Sequence, residues 1–278
     1  MLYIAAITPR DGRGEIEMGA VFELVDYLSA ALGRGNGAIA LFDAAGEYPM
    51  LKAADRSRTL RLAVKRSRAP VLAGVGSPTL ELSVQLGREA REAGAEALLV
   101  PPPYFYPYSQ EDVCEFYLQF SAQMHGIDIY LEHLPQFTTG IEPGTAKALL
   151  ATGRFAGIVD ATGEHSAAGE QAITANDRLF ARARCSGSPA LSAAACAAPE
   201  LMMALDAAVA ASNTSEIERL NARLEELLDW FDLFPPFALL RVAVSLRKIK
   251  TGPLSVPLTA EKDRKLGEFK DWFRTWKV

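Results

Sequence analysis

The feature that most constrains this chain is a repeating alternation of short apolar runs with longer amphipathic ones. LYIAAI (2–7), AIALF (38–42) and VLAGV (71–75) are separated by VFELVDYLSAAL and SRTLRLAVKRS. The pattern continues through TLELSVQLGREAREAG, ALLVPP, DVCEFYLQFSAQM, IDIYLEHLP, GTAKALLATG and FAGIVDATG. A unit recurs roughly every 30 residues, the length of a strand, a helix and their connections. Strands that are apolar throughout have both faces buried, so the arrangement predicts a parallel sheet covered by helices. Gly94, after the helix carrying Arg88, Glu89 and Arg91, fits a left-handed cap, and Ser109 with Glu111 and Asp112 fits a helix start. Six such units before about residue 160 favour a closed TIM (β/α)8 barrel over an open sheet, and no GxGxxG follows the first strand. In such a barrel the working residues follow the carboxyl ends of the strands.

One connection breaks the rhythm. LFARARC (179–185) reads as a seventh strand, and PALSAAACAAPEL (189–201) as the eighth strand and the start of its helix. Only about three residues separate them, where a parallel crossover takes a dozen or more. The expectation is therefore a barrel with its seventh helix deleted and locally open or rearranged; the alternative is that one of the two runs is not a strand. From Asn213 onward SEIERLNARLEELLDWF, FALLRVAVSLRKI and AEKDRKLGEFKDWFRTWKV are three successive helical patterns. The predicted boundaries are a barrel over residues 1–212 and a helical C-terminal extension over residues 213–278.

With 278 residues and 49% hydrophobic content, the chain can bury a sizeable core. A formal net charge of −5 argues against nucleic acid or an anionic membrane surface as partner. The start has no signal-peptide pattern and no uncharged run approaches ~18 apolar residues, so a cytoplasmic location is expected. Cys114, Cys185 and Cys196 lack metal or disulfide spacing and read as buried free thiols.

Taken in order, ITPRDGRGEIE, AAGEYPML (44–51), VLAGVGSPT (71–79), AGAEALLVPPPYFYPYSQED, LEHLPQFTTG, GIVDATGE and FPPFALLRVAVSLRKIKTGPLSVPLT resemble the dihydrodipicolinate synthase and N-acetylneuraminate lyase family over nearly the whole chain. The resemblance implies a TIM barrel, a homo-oligomer (dimer or tetramer) and no cofactor. It also implies a Schiff base between a lysine ending the sixth strand and the ketone of pyruvate or a sugar acid. At that position stands Val159, followed by Asp160. The remaining lysines, Lys52, Lys65, Lys147, Lys248, Lys250, Lys262, Lys265, Lys270 and Lys277, fall in helices or in the extension. The two family tyrosines map to Glu132 and to Phe105, the latter flanked by Tyr104 and Tyr106. The motif that grips a substrate carboxylate reads Asp43, Ala44, Ala45, Gly46, Glu47, and Gln136, Phe137 and Thr138 occupy the stretch where an arginine is usual.

These departures predict a relative without Schiff-base chemistry that binds a small molecule or serves as a structural subunit. The alternative is a lyase or related enzyme on a small oxo-acid or sugar-acid-like substrate, using acid/base or metal-assisted chemistry through Glu132 and Asp43, with His133 or His165. Asp160 and Glu164 complete a set of acids and imidazoles at strand ends that could hold a divalent cation, although the spacing is no recognised ligand pattern. Glu132 and His133 are adjacent in one strand and face opposite ways, with Glu132 inward by the family register. Ser186 is a further pocket candidate; it and Cys185 lack a sequence-placed His or acid for a triad, and SGSP reads as a turn.

Overall fold

In a computed structural model, residues 1–33 and 35–276 are described, without the side chains of Ala167 and Glu170. Eight parallel strands close into a barrel in sequence order: β1 (Leu2–Ala5), β2 (Gly37–Leu41), β3 (Val71–Gly74), β4 (Ala97–Val100), β5 (Asp128–His133), β6 (Gly157–Asp160), β7 (Ala172–Thr174) and β8 (Ala190–Ser192). Leu2 pairs with both Gly37 and Ala190, which shuts the sheet on itself. Every residue of β2, β3, β4, β6 and β8 is buried, as expected of strands lined inside by side chains and covered outside by helices.

Five helices follow the first five strands: α1 (Met18–Leu32), α2 (Ala53–Arg66), α3 (Leu80–Ala93), α4 (Gln110–Ala122) and α5 (Pro143–Ala151). Their ends follow the sequence signals. Gly94 closes α3 at φ +86°, and Ser109 and Asp112 form a reciprocal capping box at the start of α4.

The sequence expectation fails between β6 and β8. The run 179–185 is not a strand: α6 (Phe180–Cys185) is helical, and β7 is the three-residue Ala172–Thr174 before it. FARARC alternates on paper, yet its buried residues are Phe180 and Ala183, three apart on one helical face. The seventh helix is therefore present, though short, and the barrel is closed. The crossover that lost its α-helix is the sixth, where residues 161–171 join β6 to β7 through a 3-10 segment, Ser166–Gln171.

After β8 come α7 (Ala194–Ala197), α8 (Pro199–Ala210), α9 (Thr214–Asp232), α10 (Ala238–Leu246) and α11 (Ala260–Thr275). Leu220, Leu224 and Leu227 of α9 and Phe269 and Phe273 of α11 join the same buried core as the barrel strands. No described helix is long and apolar enough to cross a membrane. Cys114 is half-buried and Cys196 buried, whereas Cys185, expected to be buried, is exposed because the segment before it ends a surface helix. Lys277 lies outside the described residues.

Candidate functional site

A cavity of about 520 Å³ opens at the carboxyl ends of the strands. Its floor and walls include Ala5 of β1, Asp43 to Ala45 after β2, Glu132 of β5, Asn176 to Arg178 after β7 and Leu191 of β8, and Phe231 and Asp232 of α9 close over it. A smaller, mostly apolar cavity of about 340 Å³ adjoins it, lined by Tyr48, Tyr104, Phe137 and Pro236.

Asp43 follows Phe42, which takes the left-handed conformation at φ +61°, and Glu47 takes it again at φ +52°. Between them Ala44–Gly46 forms a tight 3-10 turn, so two non-glycine residues hold strained backbone at about 1–3 kcal/mol each, a feature that concentrates at functional sites. Gly74 of the neighbouring strand makes room for that bend, since a Cβ there would lie 1.9 Å from the Phe42 carbonyl oxygen. The Asp43 carboxylate turns back into the turn and accepts the Gly46 N–H at 3.2 Å. Burial outweighs the backbone N–H groups and lifts its pKa to about 7.

Glu132 is 1% exposed, and its Oε2 has no hydrogen-bond partner. Burial, and then the charge of Asp43, raise its pKa well above the usual carboxylate range. The strand register sets Glu132 directly beside Val159, which is itself beside Ile173, so a hydrocarbon packs next to the acid on the inner face. Among the described residues, no lysine lines the cavity.

Other sequence candidates sort themselves by which way their elements turn. Glu47 does not line the central cavity. Its carboxylate is held by Arg10 at 3.1 Å, by Arg241 and by Ser255. Arg241 also donates to the carbonyls of Thr251 and Thr8, so this acid joins the β1 loop to the C-terminal helices. Tyr104 meets Tyr48 edge to face at 5.8 Å in the adjoining cavity, while Phe105 and Tyr106 point into solvent, 85% and 65% exposed. His133 faces away from Glu132, as alternation requires: its Nδ1 accepts the Ile141 N–H at 3.0 Å, and its ring meets His165 at 4.5 Å. Burial, then His165, lowers the pKa of His133. Asp160 also faces outward and organises the turn after β6, accepting the Thr162 N–H at 2.8 Å and the His165 N–H at 2.8 Å. Backbone and side-chain donors hold its pKa low despite burial. Glu164 is exposed at the surface, 3.6 Å from His133. Ser186 ends α6 at the amino side of β8, where its hydroxyl donates to the Ala183 carbonyl at 2.8 Å, so it lies away from the cavity once 179–185 is helical. Among the described residues, no group of three or more His, Cys, Asp or Glu is arranged to hold a metal ion.

Three residues missed in the sequence complete the site. Asn176 fixes the loop after β7, donating to the Ala161 carbonyl at 3.1 Å and accepting the Arg178 N–H at 3.1 Å. Asp177 accepts the Ala194 N–H at 2.9 Å through Oδ2 and leaves Oδ1 buried and unpartnered. Arg178 pairs with three acids of α9, namely Glu225, Asp229 at 2.9 Å and Asp232 at 2.6 Å. The only sequence signal was a polar AND following the very short apolar run AIT.

A closed eight-stranded parallel barrel with a cavity at its carboxyl end defines the class of TIM-barrel enzymes and their relatives. The chain belongs to the dihydrodipicolinate synthetase family, whose family model matches residues 2–274. It is 30% identical over 145 residues to a 2-dehydro-3-deoxy-D-gluconate/2-dehydro-3-deoxy-phosphogluconate aldolase of Picrophilus torridus, the match covering 51% of this chain and 52% of that protein. It is 31% identical over 166 residues to a 4-hydroxy-tetrahydrodipicolinate synthase of Pseudomonas putida, covering 58% and 55%. The chain thus spans about half the length of these curated relatives in its matches. The dihydrodipicolinate synthase structure from Aquifex aeolicus superposes with a TM-score of 0.88 at 21% identity, covering 99% of this chain and 98% of that one, a likeness of fold.

Proposed function

We propose that this chain has left the Schiff-base chemistry of its family and binds a small molecule in the central cavity, with Asp43 and Glu132 as the groups that meet it. The observation that carries this reading is the lateral pair Glu132 and Val159 on the inner face of β5 and β6. An amine must add to a carbonyl and then act as an electron sink, and a valine side chain does neither. The alanines at 44 and 45 support the same reading, because they bring no hydroxyl donors to a carboxylate.

A second reading is favoured by the two buried carboxyls: with Asp43 raised to about 7 and Glu132 raised by burial and by Asp43, the pair can exchange a proton with a bound substrate. On that reading the chain is an enzyme of lyase type working by acid/base chemistry. The exposed rings of Phe105 and Tyr106, 5.0 Å apart, support a contact between copies of the chain in a homo-oligomer, although one solved dihydrodipicolinate synthase variant is monomeric. Free thiols fit a cytoplasmic location.

The test is to incubate the protein separately with pyruvate and with a sialic acid, add borohydride and weigh the intact chain. No covalent adduct on folded protein is the expected result. A stoichiometric adduct would overturn the reading, and peptide mapping would name the lysine that formed it.

A further inference from the structure

The imidazole of His133 faces away from the central cavity, yet it ties down the loop that forms part of the cavity wall. The chain leaves β5 at His133 and enters α5 at Pro143. Between them Leu134 and Phe137 line both cavities, and Gln136 lines the central one. The outgoing half of this loop folds on itself, the Phe137 and Thr138 N–H groups donating to the Leu134 carbonyl at 2.9 and 3.0 Å. The returning half is tied from outside: the Gln110 side-chain amide donates to the Gly140 carbonyl and accepts the Glu142 N–H, both at 2.9 Å. Between those ties the buried Ile141 N–H donates to His133 Nδ1 at 3.0 Å. Gly140 packs on the same ring, where a Cβ would lie 3.4 Å from the His133 Cε1.

A backbone N–H can only donate, so Nδ1 must present its lone pair and the neutral ring carries its proton on Nε2. That assignment leaves Nε2 no lone pair for a metal ion. A second proton has only Nδ1 to go to, which would set one N–H against another across 3.0 Å. The charged ring and the Ile141 contact therefore exclude each other.

We propose that His133 is a positioning residue: as the neutral Nε2–H ring it holds the returning end of loop 134–141, and with it the wall shared by both cavities, and it releases that end on taking a second proton. Among the described residues, the titratable groups facing the ring are His165 and Glu164 from the turn after β6 and Asp160 from the end of β6. From α5, Lys147 joins Glu164 and His165 in lining an outer cavity. Asp160 is already engaged by the Thr162 and His165 N–H groups, both at 2.8 Å, and Glu164 is exposed. Burial, then His165, outweigh these two carboxylates and oppose the charged ring. The sign follows: the contact is complete above the ordinary imidazole range and is lost as pH falls below it. The inference holds whichever molecule the cavity takes, and its test needs no ligand.

The first readout is the tautomer, by long-range proton–nitrogen NMR of the imidazoles, with the His133 signals assigned by their loss in His133→Asn. A proton on Nε2 above the titration range is expected; a proton on Nδ1 overturns the proposal. The second is hydrogen exchange of the Ile141 amide, taken as protection so that the intrinsic pH dependence of exchange is removed. In the unaltered chain that protection should fall about tenfold or more as the His133 ring gains its second proton, while the amides of β4 and β5 keep theirs. His133→Asn sets a non-titrating acceptor near the place of Nδ1 and should keep the protection at both ends of the titration. His133→Phe, with no acceptor, should lack it throughout. Protection at Ile141 that ignores the imidazole titration, is lost together with that of the barrel strands, fails to return in His133→Asn or persists in His133→Phe would overturn the proposal.

Discussion

Glu47 and Glu132 are both buried at the carboxyl end of one barrel, yet one is saturated and the other is not. Glu47 meets two guanidinium groups and a hydroxyl, and the elements it joins are the β1 loop, the turn after β2 and the C-terminal helices. Glu132 has an oxygen with no partner, a hydrocarbon beside it and a cavity in front of it. The difference teaches that burial of an acid does not assign its role. Where the partners come from the chain itself, the acid is architecture; where a position is left open, the fold carries an energetic cost that a ligand can relieve.

Cutting the saturated acid out should have the largest effect. Glu47→Ala leaves Arg10 and Arg241 buried without their counter-charge, and a loss of about 3–5 kcal/mol in urea unfolding is expected. A loss below about 1 kcal/mol would mean that the ion pairs of Glu47 contribute no more than exposed ones do.

The acids that line the central cavity should answer in the opposite direction. For Asp43, folded pKa exceeds unfolded pKa, so its contribution is most favourable below pH 3.8 and is lost as pH rises toward about 7. Asp43→Asn should therefore be more stable than the unaltered chain at pH 8, on the order of 2–4 kcal/mol, with the gap closing as pH falls from 7 toward 3.8. A gap independent of pH would remove the titration from the explanation. Glu132→Gln follows the same sign: equal stability in acid and a gain above the ordinary carboxylate range, read from unfolding midpoints across pH.

The smallest change in fold stability belongs to neither region. Phe105→Ser, on a ring 85% exposed, should alter unfolding free energy by less than about 0.5 kcal/mol while weakening self-association in sedimentation experiments. A large loss of monomer stability would show that the ring packs within its own chain.

What could be read in advance follows the same division. β1 to β6 were legible because continuous apolar runs bounded by turn residues have few other uses in a soluble protein. β7 was not, since three residues give no period, and FARARC mimics a strand until burial shows its i, i+3 face. That Glu132 and His133 face opposite ways followed from alternation, and the family register told which of them faces inward. The role of Glu47 did not, because Arg10 and Arg241 lie 37 and 194 residues away in sequence. Asp177 escaped for a related reason: its carboxylate is buried against the Ala194 N–H, 17 residues away in sequence, which no residue pattern encodes.

The most direct measurement is the carboxyl titration of Glu132 itself, by NMR of protein labelled at glutamate side-chain carbons, with Glu132→Gln to assign the signal. A carboxyl signal that stays in its protonated position well above the pH at which the surface glutamates ionise is the expected result, since burial and Asp43 both oppose ionisation. A signal that titrates with the surface glutamates, complete by about pH 5, would mean that the acid is solvated or paired after all, and the contrast with Glu47 would fall.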